Sequence, residues 1–569
     1  MSYQNGLLSL SASDENTTIY YTDNGDLPTE ASNKYVSPIS IVDNRPIKAI
    51  GVRAGYKNSD IVEFSTSEFK CSSPNLLYDG RYLTVTPTTE YSEIHYTMDG
   101  STPTIESPKI DGKLDVGGIF TIKVIETRQY YNDSDEVDYE VKCYFDGKVA
   151  QIIEPGLLLE SLKWIEHSDV ENIVVTGCIN AEDIETLSAL SNLMYLNLEN
   201  ADLEECVLSK GALSNKNLIS IYLPKNVSSF GQGVFEGCDN LASIVWKGNA
   251  IIPSETLNGI NNPNLLLYVN LSSYAPSSVK NVIVSGSANS ITLVDSEGNN
   301  NFYCPEEFMA KSITYTHNYS QKTVVGKTSG WETISLPFSV ENITHSINGK
   351  IAPFAANEDD AKPFWLYSLD EYGFVEADKI EANKPYIISM PNSDEYSDAY
   401  ILAGNVTFSS SNIEVPRTSV CSSQKNEFEF IPTTLSVEQG PMVYAMNVGQ
   451  TYENFYPGAT FVRDYSNINP FEAYLTTTMT SSIPKYMSLS NLGIDDSSFV
   501  DKIEIEEKSL QIYGGIGEIK IITERPIKIQ IFTSTGMMVR NEDLLDGTSI
   551  LDGFVAGIYF VNGNKVIVR

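Results

Sequence analysis

The chain has 569 residues, which at roughly 100–200 residues per domain means several domains. Its 74 acidic residues against 38 basic ones leave a formal charge of −36, with no Lys/Arg-rich run to offset it. Nucleic acid and anionic membrane surfaces are excluded as partners, because neither gains counterion release against such a surface.

Hydrophobic residues make up 41% of the chain, enough for ordinary cores, so the acidity belongs to folded surfaces rather than to a disordered tail. Tyr outnumbers Phe, 33 to 22, and Ser, Thr and Asn separate short apolar stretches, a balance that suits half-buried strands. A mainly β, multidomain chain is expected. No stretch approaches the roughly 18 consecutive apolar residues that cross a bilayer, so no membrane span is expected. The start, Met1-Ser2-Tyr3-Gln4-Asn5-Gly6, lacks the basic-then-apolar layout of an export signal, and any leader is expected to have been removed or never present. Seven cysteines, an odd number, form no CxxC pair, which predicts buried free thiols rather than a zinc site or a disulfide framework.

The first predicted element is a repeat. A shift of 75 residues lays Leu8, Ile19, Tyr21, Thr22, Gly25, Pro28 and Thr29 onto Leu83, Ile94, Tyr96, Thr97, Gly100, Pro103 and Thr104. Farther on, Tyr56, Ser59, Asp60 and Val62 fall on Tyr131, Ser134, Asp135 and Val137. Two copies of this size are tandem small domains, since a solenoid repeat is shorter and needs more copies. In each, an alternating strand runs into Asn24-Gly25 or Asp99-Gly100, whose residue types tolerate the positive φ of a turn. With Tyr96-Thr97-Met98-Asp99-Gly100-Ser101-Thr102-Pro103-Thr104, the unit resembles the immunoglobulin-like domain at the C-terminus of chitobiases and β-hexosaminidases. That resemblance implies a sandwich used as a spacer or accessory module. The acidic turn residues Asp23, Asp26 and Asp99 supply too few oxygens for calcium, and His95 is expected at a surface or half-buried strand position.

From about residue 150 the period shortens. Leu193, Leu218, Leu241 and Leu265 recur at intervals of 25, 23 and 24 residues, a solenoid spacing with one short strand per turn. The turn Val227-x-x-Phe230-x-x-x-x-Phe235-x-x-Cys238-x-x-Leu241, following Leu223-Pro224, resembles the BspA-like class of leucine-rich repeats. Leu157 to Leu162 with Trp164 is expected to cap the apolar column, and Trp246 to lie in it. On the strand face turned away from the core the alternation places Tyr195, Asn197, Glu199, Ser220, Tyr222, Ser243, Val245 and, after a shift of phase, Tyr268. Tyrosines there offer rigid contact area for protein or glycan. Tyr195, Asn197, Tyr222, Val245 and Tyr268 are therefore the candidate ligand-binding residues.

Residues 299–490 read as short strands broken by Pro and Gly, including Trp331-Glu-Thr-Ile-Ser-Leu-Pro-Phe338, Lys384-Pro-Tyr-Ile-Ile-Ser389 and Pro470-Phe-Glu-Ala-Tyr-Leu475. These phrases resemble a domain that follows leucine-rich repeats in secreted proteins of anaerobic Gram-negative bacteria, which implies no activity. Trp331 and Trp365 are considered for a sugar-stacking platform, but Trp331 in an alternating strand is expected in the core. After Gly493-Ile-Asp-Asp-Ser-Ser, strands are expected around Ile503, Leu510–Ile512, Ile519–Ile522, Ile527–Phe532 and 557–561. Phe532-Thr-Ser-Thr-Gly536-Met-Met-Val539 and the Gly-Ile-Tyr-Phe-Val strand before a basic end resemble the C-terminal sorting domain of type IX secretion.

The expected domains are thus 1–69 and 70–146 (immunoglobulin-like sandwiches), 147–298 (leucine-rich repeats with caps), 299–490 (a β-rich domain) and 491–569 (a terminal sandwich). Only four histidines exist, in different modules, with no His-x-x-x-His pair, no Gly-x-Ser-x-Gly elbow and no phosphate-binding Gly loop. No enzyme activity, cofactor or metal is expected. The sequence points to an exported, monomeric protein of the outer cell surface or extracellular space. The expected partner is an extracellular protein held on the repeat face; the alternative is a glycan held by the N-terminal pair through Tyr20 or Tyr56, and a purely structural role is the third possibility.

Overall fold

The computed structural model describes residues 1–295, 300–396, 400–494, 496, 510–523 and 526–569. The expected strand around Ile503, residues 495, 497 and 498 of the 493–498 linker and the 298/299 boundary lie outside the described residues. The chain divides into two compact units, one of residues 1–313 with 411–418 and one of residues 314–410 with 419–569. Both are mainly β. Among the described residues no helix is long and apolar enough to cross a membrane.

The first unit opens with the two copies, each a pair of small antiparallel sheets. In the first, Ser2–Gln4, Leu7–Ser9 and Ile39–Ser40 face the four strands Asn33–Lys34, Thr18–Thr22, Ile47–Val52 and Val62–Phe64. In the second, Lys113–Asp115, Tyr82–Thr86 and Asn75–Tyr78 face Lys109–Ile110, Glu93–Thr97, Thr121–Thr127 and Val137–Glu140. The registers agree at the 75-residue shift: Ile19 opposes Gly51 as Ile94 opposes Glu126. Gly25 and Gly100 both adopt positive φ, 83° and 84°, and the Asn24 and Asp99 side chains accept the N–H of Asp26 and Ser101. The chain does not fold straight back here. Thr18–Thr22 pairs instead with Asn33–Lys34, beyond a loop.

The same unit continues as a parallel ladder of Val149–Ile152, Asn172–Ile179, Tyr195–Leu203, Ser220–Tyr222, Ser243–Trp246, Leu266–Val269 and Asn281–Val284. Period-2 alternation sends Leu196, Ile221, Ile244 and Leu267 to one buried column and Leu198, Leu223, Trp246 and Val269 to the next. Side chains also stitch each turn to its predecessor. Asn192, Asn217 and Asn240 donate from Nδ2 to the carbonyls of Ser168, Ser191 and Lys216, and Cys238 Sγ donates to Leu213 O at 2.8 Å. At the head of the column, the short helix Leu158–Ser161 stands where the cap is expected. The buried Asp183 carboxylate accepts from the N–H groups of Gly156 (2.7 Å), Leu158 (2.9 Å) and Asn180 (3.0 Å), tying that helix to the capping box of the helix Ala181–Ala189.

In the second unit, Trp331, Trp365, Tyr367, Phe430, Tyr444, Phe461 and Leu475 form a core. One wall is a six-stranded antiparallel sheet in the order Ser423–Lys425, Phe428–Pro432, Ala473–Thr477, Tyr444–Met446, Thr460–Arg463 and Tyr486–Ser488. Trp331 and Trp365 are both buried, the core placement expected for Trp331, and they form no stacking platform. The last residues form two sheets, Gln511–Gly514, Glu518–Thr523 and Gly547–Asp552 against Met538–Leu544, Ile527–Thr533, Gly557–Val561 and Asn564–Val568. Ile519, Ile521, Ile529, Ile531 and Val561 fill the space between them.

Candidate functional site

The strand face expected to meet a ligand points away from the leucine column but is not free surface. Residues 302–308 of the same unit lie across it. Tyr303 packs on Tyr195 with ring centroids 5.0 Å apart, and Phe308 meets Tyr268 edge-on at 6.1 Å. Tyr268 Oη donates to Glu306 O at 2.9 Å and lies 3.3 Å from Cys304 Sγ. Lys247 Nζ bridges Glu306 (2.6 Å) and Glu199 (3.4 Å) and lies 5.5 Å from the ring centre of Tyr222. The segment is held by a two-bond bridge between Cys304 and Thr418, N–H to Oγ1 at 2.8 Å and N–H to carbonyl at 2.9 Å.

Exposure follows. Val245 is 1% exposed and Tyr268 6%, while Tyr195, Asn197 and Tyr222 are half-buried. Asn197 is engaged locally, its Oδ1 accepting Glu199 N–H at 2.9 Å. Burial pushes the phenol of Tyr195 up to about 12, and burial followed by the nearby Glu306 carboxylate raises that of Tyr222. The expectation of an open tyrosine-bearing face is therefore corrected. Alternation settles which side chains leave the column, and residues 302–308, farther along the chain, cover them.

The N-terminal pair differs. In the first copy a groove of about 530 Å³ is lined by residues that include Ser13, Thr17, Gly51, Arg53, Tyr56 and Ser59. Tyr56 is 66% exposed, the Arg53 guanidinium lies 4.4 Å from its ring centre, and Arg53 is paired with Asp14. Tyr20, the other aromatic singled out, is half-buried. In the second copy Arg128 stacks on Tyr131 at the same 4.4 Å, but Tyr131 packs against Phe69 at 5.6 Å and donates to Val42 O at 2.9 Å, so the junction between the copies consumes it. Residues 2–63 and 76–138 match the chitobiase/beta-hexosaminidase C-terminal domain. The two matched stretches coincide with the two copies of the repeat. No curated protein matches the chain.

His95 is fully buried, not at the surface, with Nδ1 2.9 Å from Ser107 O. All seven cysteines are free. Cys71, Cys143, Cys238 and Cys304 are buried as expected, whereas Cys178 and Cys421 are exposed and Cys206 is half-buried. Among the described residues no three His, Cys, Asp or Glu side chains gather as a metal site. In the second unit, a hollow of about 740 Å³ beside Phe455 and Tyr456 has its charges already matched, Lys327 Nζ to Asp496 at 2.8 Å. Also in that unit, His317 Nε2 lies 2.9 Å from Glu332 Oε2, and burial, reinforced by Glu332, raises the carboxyl of Glu472 against hydrogen bonds from Asn469.

Proposed function

We propose that this chain is a non-catalytic, exported surface protein that binds a glycan through the groove of its first N-terminal domain. The observation carrying this reading is the contrast between Tyr56, an exposed ring that lines the groove, and its counterpart Tyr131, which is spent on the junction. A rigid aromatic flanked by hydroxyls and a guanidinium is the chemistry that holds sugar rings. The alternative of an extracellular protein held on the repeat face loses support because residues 302–308 occupy that face.

In this reading the parallel ladder is a BspA-like leucine-rich array serving as a rigid arm. The two N-terminal domains are immunoglobulin-like modules at its tip, and the last two-sheet sandwich is the type IX sorting signal that brings the protein to the outer surface. The test is a glycan array probed with the whole chain and with Tyr56→Ala. Wild-type binding that falls at least ten-fold in the variant supports the reading, and equal binding by both sinks it.

A further inference from the structure

The two copies align residue by residue at the 75-residue shift, and their hydrogen bonds repeat. Gly51 N–H donates to Ser59 Oγ and Glu126 N–H to Ser134 Oγ, each at 2.8 Å. Ser59 and Ser134 donate on to the carbonyls of Asp60 and Asp135 at 2.8 and 3.0 Å, and Thr17 N–H reaches Asp14 O as Ser92 N–H reaches Thr89 O. Against that shared frame the surroundings of one position change: Asp14 and Thr17 stand where the second copy has Thr89 and Ser92. Where the second copy has Glu126, the first has Gly51.

Glu126 is fully buried, and its carboxylate sits in a cradle of donors: Thr88 N–H at 3.0 Å, Thr89 N–H, and the hydroxyls of Ser92 at 2.6 Å and Thr88 at 3.3 Å. Burial alone would raise this acid. The donors outweigh it and hold the carboxyl below its ordinary range, so the cradle is built for an anion. The corresponding groups of the first copy are Ser13 N–H, Asp14 N–H and the Thr17 hydroxyl. Among the described residues no group accepts from them. They border the groove, since Ser13, Thr17 and Gly51 all line it.

The pair of changes is coordinated. A Cβ at Gly51 would come within 2.9 Å of Thr17 Cγ2, whereas Ser92, the counterpart of Thr17, has no such methyl. Asp14 does not set a bare charge against an incoming anion, because its carboxylate accepts Asn16 N–H at 2.9 Å and pairs with Arg53.

We infer that the groove of the first copy takes the carboxylate of an acidic sugar, held by Ser13 N–H, Asp14 N–H and the Thr17 hydroxyl as the second copy holds its own Glu126. This rests on the reading of the groove as the glycan site and adds the chemical class. The second copy displays the bound geometry with a carboxylate supplied in cis, and the first leaves the acid to come from a ligand. A sugar acid is favoured over a peptide acid because the hydroxyls of Ser13, Thr17 and Ser59 and the exposed ring of Tyr56 line the groove among its aliphatic side chains.

The test is titration calorimetry of the full chain with three probes: a glucuronate-containing disaccharide, its methyl ester and an end-capped Gly-Glu-Gly peptide. A second arm repeats the glucuronate titration on Gly51→Glu/Thr17→Ser, which rebuilds the cradle occupant of the second copy. The expected results are binding of the glucuronate, at least ten-fold weaker binding of the ester and peptide, and loss of glucuronate binding in the double variant with its melting temperature retained or raised. Ester and acid binding equally would overturn the carboxylate inference and leave the groove as a glycan site. Tighter binding of the peptide would overturn the sugar class. Glucuronate binding undiminished in a folded double variant would place the ligand elsewhere, and no binding of any sugar to the wild-type chain would overturn the groove reading together with the inference.

Discussion

Two copies of one unit, alike in register, turn chemistry and the Arg-on-Tyr stack, meet different neighbours and so do different work. The first copy closes on a core of its own, Leu8, Leu10, Ile41, Ile47 and Ala49. The core of the second runs without a break into that of the ladder, which Tyr78 helps to join by donating from Oη to Cys143 O at 2.7 Å. Because Gly80 lies so close to the Ser161 carbonyl that a Cβ would sit 2.4 Å from it, the second copy is seated on the ladder's cap with no room for a side chain. Shared sequence sets the sandwich, and what abuts it decides whether a polar pocket is closed by the chain's own carboxylate or left open to a ligand.

The sharpest way to break this comparison is at a matched core position. Ile47 and Ile122 are equivalent and both buried. Truncating a buried Ile to Ala costs about 2–5 kcal/mol, with the larger values where the surroundings cannot relax. Ile122→Ala is expected near the top of that range and Ile47→Ala near the bottom. Hydrogen exchange should show Ile122→Ala loosening the strands at 149–152 and 172–179, whereas Ile47→Ala should loosen the first copy alone. Equal and equally local effects would mean that the second copy is no more part of the ladder than the first.

Glu126 comes next. Its removal leaves buried donors without an acceptor, so Glu126→Ala is expected to destabilise by about 1–3 kcal/mol at pH 7. The carboxyl is held below its unfolded value of about 4.3, so the folded state binds fewer protons than the unfolded state in that window. Its stabilisation is therefore full above roughly pH 4.3 and is lost as pH falls through the folded value. Denaturant unfolding from pH 7 to 2 should accordingly show a shallower acid-side loss of stability in Glu126→Ala than in wild type.

The tandem repeat was legible because Tyr56, Ser59 and Asp60 recur as Tyr131, Ser134 and Asp135, and matched positions are what a shift of the sequence detects. The groove was carried by mismatches, Gly51 against Glu126 and Thr17 against Ser92, whose meaning depends on three backbone segments meeting in space. The ladder's strands were legible from alternation at 23–25-residue spacing. Its Asn192, Asn217 and Asn240 cross-bonds were also available as a period in the sequence, though polar residues at turn ends read as solvent-facing until the carbonyl one turn back is seen. The cover over Tyr195 and Tyr268 could not be read from local pattern, since the 298/299 boundary assigned Tyr303, Cys304 and Glu306 to the following domain. His95 misled for a related reason. It sits on the phase opposite Ile94 and Tyr96, yet the Ser107 carbonyl comes across to meet its ring.

The finest distinction between the copies lies in their matched tyrosines. Tyr131→Ala removes a ring packed on Phe69 and a hydrogen bond to Val42 O, so a loss of about 1–2 kcal/mol is expected, with the junction between the copies opening first. Tyr56→Ala removes an exposed ring whose chief neighbour is the Arg53 guanidinium, and stability should stay within about 0.5 kcal/mol of wild type. Paired thermal melts of the two variants, read beside limited proteolysis at residues 65–75, measure both effects in one experiment. A Tyr56→Ala loss as large as that of Tyr131→Ala would make Tyr56 a structural residue that happens to be exposed, and the asymmetry on which ligand binding by the first copy rests would disappear.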